Sequence, residues 1–118
     1  MWDGWVGILD ESQSQPQVID VQKVPSCPAS KKKWLEDAIA KKCSSKNVAL
    51  KYHCLLNHWR NQSFVFCGED KHIIGFFCPE YDEKRGKIQE NYDFRCPGLI
   101  NASVLIYRSS QVFHCKCI

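Results

Sequence analysis

The sequence predicts a small α+β domain in which one N-terminal helix packs on an antiparallel sheet and disulfides tie the two together. Three observations carry this. Eight cysteines in 118 residues are even in number, widely spaced and without a C-x-x-C pair, the pattern of a disulfide framework from an oxidising compartment. One segment beyond residue 25 keeps a helical period. After it, apolar residues fall in short runs rich in aromatic and β-branched side chains, which suit strands. The length is that of one domain with a modest core. We divide it into an arm and linker, 1–25, and a cysteine-rich domain, 26–118.

In the arm, Trp2, Trp5, Val6 and Leu9 stand at i, i+3, i+4 and i+7, the spacing of one helical face. Gly4 and Gly7 favour an extended arm almost as strongly. Residues 11–17 carry Pro16 and read as a linker, and Val18–Val21 suits a short edge strand. Ser26 or Ser30 can cap a helix over about 30–43 whose inward stripe is Trp34, Leu35, Ala38 and Ile39. Strands are expected over Val48–Leu55, Ser63–Cys67, His72–Cys78, Ser103–Arg108 and Val112–Cys117. Gly68–Lys71 has hairpin-turn chemistry, and Arg108–Gln111 suits a second turn. Residues 79–98, with Pro79, Gly86, Pro97, Gly98 and many charges, read as a long loop.

The eight half-cystines expected are Cys27, Cys43, Cys54, Cys67, Cys78, Cys96, Cys115 and Cys117. Their pairing stays open among 105 connectivities. Cys115 and Cys117 share one face of a strand and should bond to different partners. Cys43, at the helix end, is placed to reach a strand.

Net charge is +3, from 16 Lys and Arg against 13 Asp and Glu, too balanced to demand a nucleic-acid partner. Lys31, Lys32, Lys33, Lys41 and Lys42 lie close together and can face an anionic surface; a solvated helix face is the plainer reading. The longest apolar stretch, near Ile73–Cys78, is too short to span a membrane. Met1-Trp2-Asp3-Gly4 lacks the basic start of a signal peptide, so we expect Met1 to begin a fragment without its targeting segment. The sequons at Asn61 and Asn101 agree with the cysteines about secretion.

Metal binding is the main rival use of cysteine. His53-Cys54 and His114-Cys115-x-Cys117 set imidazole beside thiol, yet the C-x(2–4)-C knuckles of structural zinc sites are missing from the sequence. No metal or cofactor is expected. Catalysis is not expected either. The chain has no Gly-x-Ser-x-Gly elbow, no Cys-Cys-x-x-His-Asp run like that of secreted phospholipases A2, and no Cys-Lys-x-x-Asn-Thr segment like that of pancreatic-type ribonucleases. Cysteines held in disulfides are not nucleophiles. Glu80, Asp82 and Glu83 lie among Lys84 and Arg85, as on a solvated surface.

From Cys27 onward the order is Cys27-Pro28, Trp34, Cys43, Lys51-Tyr52-His53-Cys54-Leu55, Phe66-Cys67, Cys78-Pro79-Glu80-Tyr81, Phe94-Arg95-Cys96-Pro97, Ser103-x-x-Ile106-Tyr107 and a closing cysteine motif. This resembles a cysteine-rich extracellular module of invertebrate, especially molluscan, secreted and EGF-repeat-containing surface proteins. It covers about residues 27–118. The resemblance implies a secreted or cell-surface location and a recognition role, and it brings no catalytic residue. The Cys115-x-Cys117 pair departs from the module's pattern.

The expected function is therefore an extracellular module that binds a protein or glycan without catalysis. Trp59, flanked by His58 and Arg60, and the Trp2 and Trp5 arm are the candidate contacts, because large aromatics dominate binding surfaces. The alternative is a freestanding secreted effector, a toxin, antimicrobial or cytokine-like ligand, acting on membranes or a receptor through the lysines.

Overall fold

A computed structural model of the chain describes residues 17–75, 77–95 and 106–111. The architecture is α+β. In chain order the elements are β1 (Val18–Val24), α1 (Lys31–Lys41), the single helical turn α2 (Cys43–Lys46), β2 (Leu50–Leu56), β3 (Ser63–Glu69), β4 (His72–Ile74), β5 (Phe77–Asp82), β6 (Lys87–Arg95) and β7 (Ile106–Arg108), followed by a 3-10 turn, Ser109–Gln111. The main sheet has five strands in the order β1-β3-β2-β5-β6, and β4 pairs with β7 in a two-stranded ribbon. The sheet is mixed: β2 meets β5 in parallel at Leu56↔Glu80, while the other pairings are antiparallel.

Helix α1 starts where its cap lies. Ser30 is extended and its hydroxyl accepts the Lys33 N–H at 3.2 Å, satisfying one of the donors left open at a helix start. It stops at Lys42, which adopts φ 54° and donates its N–H to the Ala38 carbonyl. Glycine is the usual occupant of that left-handed position. Trp34 and Ala38 pack on Cys43, Leu50, Tyr52, Cys54, Val65 and Cys67, with the Trp34 and Tyr52 rings edge-on at 5.2 Å.

Leu35 and Ile39 depart from the expected inward stripe, at 45% and 74% exposed. They follow Trp34 and Ala38 by one residue, about 100° around the helix. A helix resting on a narrow Trp34/Ala38 line leaves that neighbouring stripe outside.

Two disulfides flank α1. Cys27 before it bonds to Cys54 on β2, and Cys43 after it bonds to Cys67 on β3, so Cys43 does reach a strand. Both strand cysteines face the helix because Tyr52 pairs with Cys67 and Cys54 lies two residues beyond Tyr52. Loops of 27 and 24 residues make each bridge worth about 3.5 kcal/mol in the chain-entropy account. Cys78 is also disulfide-bonded. Cys96, Cys115 and Cys117 lie outside the described residues, as do the arm with Trp2 and Trp5, the Asn101 sequon, and the expected strand 112–117.

The opposite sheet face carries Leu55, Phe64, Phe66, Tyr81 and Ile88. His53 is buried on the same face, 1% exposed, and stacks on Phe66 at 5.0 Å. Its Nδ1 lies 2.9 Å from the Lys51 carbonyl and its Nε2 2.8 Å from the Ser109 hydroxyl. A carbonyl only accepts, so Nδ1 carries the proton and Nε2 accepts from Ser109. Ser109 in turn accepts the Lys71 N–H, and Asp70 accepts the Ser110 N–H. This chain of bonds fastens the 3-10 turn to β2 and to the segment after β3.

Two expectations are corrected here. Gly68–Lys71 does not close a hairpin: β3 runs on to Glu69, and β4 leaves to pair with β7, because Asp70 and Lys71 bond to the 3-10 turn. The hairpin partner of β3 is β2, joined through residues 57–62. Residues 79–98 are not one long loop either. Through Arg95 they form most of an antiparallel β5–β6 hairpin, closed by Asp82↔Lys87. Its charges concentrate in the turn, where Gly86 takes φ 65° and donates to the Asp82 carbonyl at 2.7 Å. Pro79 is tolerated within β5 because the ladder to β2 is a single residue pair.

Candidate binding surface at the Trp59 loop

The β2–β3 connection is built around Asn57. This buried side chain accepts the N–H groups of Asn61 and Gln62 at 3.0 and 3.2 Å and donates to Asn61 Oδ1 at 2.8 Å. The Asn57 and Gln62 main chains close the loop, and Arg60, at φ 60°, turns back to donate to the Asn57 carbonyl. Asn is suited to this because its short amide substitutes for a backbone turn. Trp59 stands at the tip, 72% exposed.

The loop is held from below by an irregularity in β6. Phe77 pairs with Arg95, whereas Cys78 pairs with Asn91, so one step along β5 is matched by four along β6. Residues 92–94 bulge out, and a bulge re-aims side chains. Asp93 thereby reaches His58 Nε2 at 3.1 Å. Phe94 lies beneath the Arg60 guanidinium, 4.8 Å from its ring centre, and Tyr92, 69% exposed, leans edge-on against Phe77. Buried Asn91 completes the support, donating to the His58 carbonyl at 2.9 Å and accepting the Asp93 N–H at 3.0 Å.

His58 sits between two carboxylates. Its Nδ1 is 2.9 Å from Glu80 Oε1; Glu80 is buried and its other oxygen accepts from the Gln89 amide. The hydrogen bond to Glu80 is the main cause that raises the His58 pKa, with the charges of Glu80 and Asp93 adding to it against partial desolvation. The favoured state is an imidazolium donating from both nitrogens. Neither lone pair is then open to take a proton, so the ring anchors the loop more readily than it acts as a base.

A cleft of about 350 Å³ opens between Trp59 and the β5–β6 turn, with Gln62, Glu80, Glu83, Lys84 and Gln89 among its walls. An apolar groove of about 530 Å³ runs between α1 and β2, past Leu35, Ile39, Lys42 and Tyr52.

Ser109, His53 and Asp70 meet elsewhere without forming a nucleophilic triad. Ser109 and His53 are 0% and 1% exposed. Asp70 lies 3.9 Å from Nε2, on the serine side of the ring, while the orienting nitrogen is bound to a backbone carbonyl. Burial lowers the His53 pKa, and the Lys51 and Asp70 contacts only partly oppose this. Among the described residues no group of three His, Cys, Asp or Glu side chains is placed to hold a metal ion; Glu80 and Asp93 bind opposite ends of His58 and do not converge on one point.

The structure thus brings His58, Trp59, Arg60 and Asn61 into one loop. Asn61 is exposed there. The lysines lie apart, on and after α1, where Lys33 pairs with Asp37 at 3.1 Å and Lys41 donates to Gln22. The residues that sequence reasoning missed are Glu80, Gln89, Asn91, Asp93 and Phe94, all from the segment read as loop. Ile88, Tyr92 and Phe94 at even spacing, with polar Gln89, Asn91 and Asp93 between them, were the available strand signal. No protein-family model, curated protein or solved structure matches the chain. No helix among the described residues is long and apolar enough to cross a membrane. The disulfides are compatible with an extracellular protein.

Proposed function

We propose that this protein is a secreted or cell-surface recognition module, like the cysteine-rich module its sequence resembles, and that it contacts a protein or glycan through the Trp59 loop without catalysis. One observation carries the reading. Trp59 is solvent-exposed on a loop fixed by Asn57, by the His58 bonds to Glu80 and Asp93, by Asn91, and by Arg60 stacked on Phe94. An ordered loop with an exposed indole loses little freedom on binding, and tryptophan contributes strongly to interfaces.

The test compares wild type, Trp59→Ala, and a chain lacking residues 1–16, which keeps β1, in affinity capture from extracellular extract of the source tissue. A partner lost with Trp59→Ala supports the loop. Loss only on removing 1–16 transfers the contact to Trp2 and Trp5 and ends this reading. Alkylation without reduction should label none of the eight cysteines; labelling of several refutes the oxidising compartment. Use of the Asn61 sequon belongs to the same reading and is checked by mass before and after glycosidase.

A second reading has its own observation: Leu35 and Ile39 are exposed on a lysine-rich helix, as in a surface-seeking effector. Leakage of anionic liposomes that disappears when Lys31, Lys32, Lys33, Lys41 and Lys42 become Gln would support it. Intact liposomes argue against it.

A further inference from the structure

We infer that the cleft beside Trp59 holds one neutral hexopyranose unit of a glycan. This rests on the recognition reading above and names its partner's chemistry. A pyranose presents two kinds of surface: an apolar face of C–H groups and a rim of hydroxyls that both donate and accept. A site for it needs a flat apolar wall and, at right angles in chemistry if not in space, several planar polar groups with spare hydrogen-bonding capacity.

The Trp59 indole supplies the wall. It is exposed, borders the cleft, and carries the electron-rich face toward which polarised C–H groups are attracted. The polar groups are the Gln62 and Gln89 amides and the Glu80 and Glu83 carboxylates, which border the same space. Gln89 donates to Glu80 through its nitrogen, which leaves its carbonyl oxygen to accept. Glu80 accepts one bond at each oxygen, from His58 and Gln89, while a carboxylate offers about four lone-pair sites. Among the described residues no hydrogen bond engages the side-chain amide of Gln62, whose main chain alone is bonded. The volume lies at the small end of the roughly 300–1,000 Å³ typical of small-molecule sites, suited to a sugar unit and narrow for a drug-sized molecule.

Charge decides the kind of sugar. Glu80, Asp82 and Glu83 line the cleft and Asp93 stands behind His58. Against them stand Lys84, Arg85, which is held at Asp82 by a 3.2 Å backbone bond and a 3.6 Å ion pair, and the imidazolium. Within the lining three carboxylates face three cations, and two of those cations, His58 and Arg85, are already paired with Glu80 and Asp82. The cleft therefore offers no net positive charge to a sulfated or carboxylated unit, whereas a neutral one meets hydrogen-bonding groups. A peptide is the poorer occupant, since these walls hold one exposed aromatic and otherwise mostly polar and charged side chains, with no apolar pocket for a side-chain anchor.

The experiment titrates the folded full chain, followed by the indole N–H signals and by the backbone amide signals of residues 57–62 and 80–89 in NMR, with methyl glycosides of galactose, glucose, mannose and N-acetylglucosamine, and with a sulfated heparin disaccharide. At least one neutral glycoside should saturate the Trp59 signal. Trp59→Ala should weaken that glycoside at least tenfold, Trp59→Tyr should retain part of the binding, Gln89→Ala should weaken it several-fold, and Leu35→Ser, on the other groove, should leave it unchanged. No shift with any neutral glycoside up to about 10 mM, binding that survives Trp59→Ala, or tighter binding of the sulfated disaccharide each overturns the inference. If the glycosides fail while Trp59→Ala still abolishes capture of a protein, the sugar assignment falls and the recognition surface stands. If Trp59→Ala changes neither, both fall.

Discussion

His53 and His58 lie five residues apart on the same hairpin and do opposite things. His53, inside β2, is sealed against Phe66 and offered a carbonyl and a hydroxyl; burial holds it neutral. His58, just past the end of β2, is offered two carboxylates at the surface, which hold it charged. The neutral ring locks the 3-10 turn to the sheet. The charged ring props up an exposed tryptophan. One residue type thus serves as a structural pin or a surface anchor according to whether its neighbours bring water and charge.

Their pH dependences have opposite signs. The folded pKa of His53 is lowered, so its contribution to stability is complete above the unfolded value near 6.5 and is lost as pH falls from there through the folded value. The folded pKa of His58 is raised, so its contribution is complete below about 6.5 and is lost as pH rises through the folded value. Imidazole NMR titration should place the two midpoints on either side of the unperturbed value; coincident midpoints would abolish the contrast.

The largest break in the comparison should come from His53→Ala. It leaves the buried Ser109 hydroxyl without its ring partner, removes the bond to the Lys51 carbonyl and opens a void beside Phe66, at a cost of about 2–4 kcal/mol in denaturant unfolding. A change under 1 kcal/mol would mean that the pin is not structural. Asn91→Ala comes next. It removes the two part-buried bonds by which the Asn91 amide holds the His58 carbonyl and the bulge, costing about 1–3 kcal/mol and loosening Trp59, which amide exchange in residues 57–62 would report.

Lys42 borders the groove on the helix side of the sheet and bonds to neither histidine, so Lys42→Gly serves as the control. Relief of the left-handed strain at the end of α1 should raise stability by about 0.5–1 kcal/mol with both titrations unchanged. The smallest stability effect is expected from His58→Gln, because exposed ion pairs contribute little. Its signature is the disappearance of the alkaline decline, together with weakened Trp59-dependent binding; an unchanged decline would assign that titration to another group.

Legibility in the sequence followed locality. Helix α1 was readable from Ser30 and the 3.6-residue spacing, and β2 and β3 from short apolar runs, whereas the run His72–Cys78, expected as one strand, is divided into β4 and the start of β5 after Gly75 turns at φ 84°. The β5–β6 hairpin was obscured because Pro79 and the charges of the turn outweighed the buried Cys78, Glu80, Tyr81 and Ile88. Trp59 could be singled out as a loop aromatic, whereas its support could not. Glu80 lies 22 residues from His58, and Asn91 lies 33 away. Nothing in a local window marks an acidic residue as the buried partner of a distant histidine.

The sequence by itself determined the class of molecule: a disulfide-bearing α+β chain, where its helix begins, and the aromatic that its loop displays. These depend on residue type and on spacing between near neighbours. Only the tertiary structure decided that Cys27 pairs with Cys54 and Cys43 with Cys67, that a three-residue bulge carries Asp93 to His58, and which histidine is charged. Those outcomes depend on the dielectric and the partners that distant segments bring, and those exist only once the chain has closed on itself.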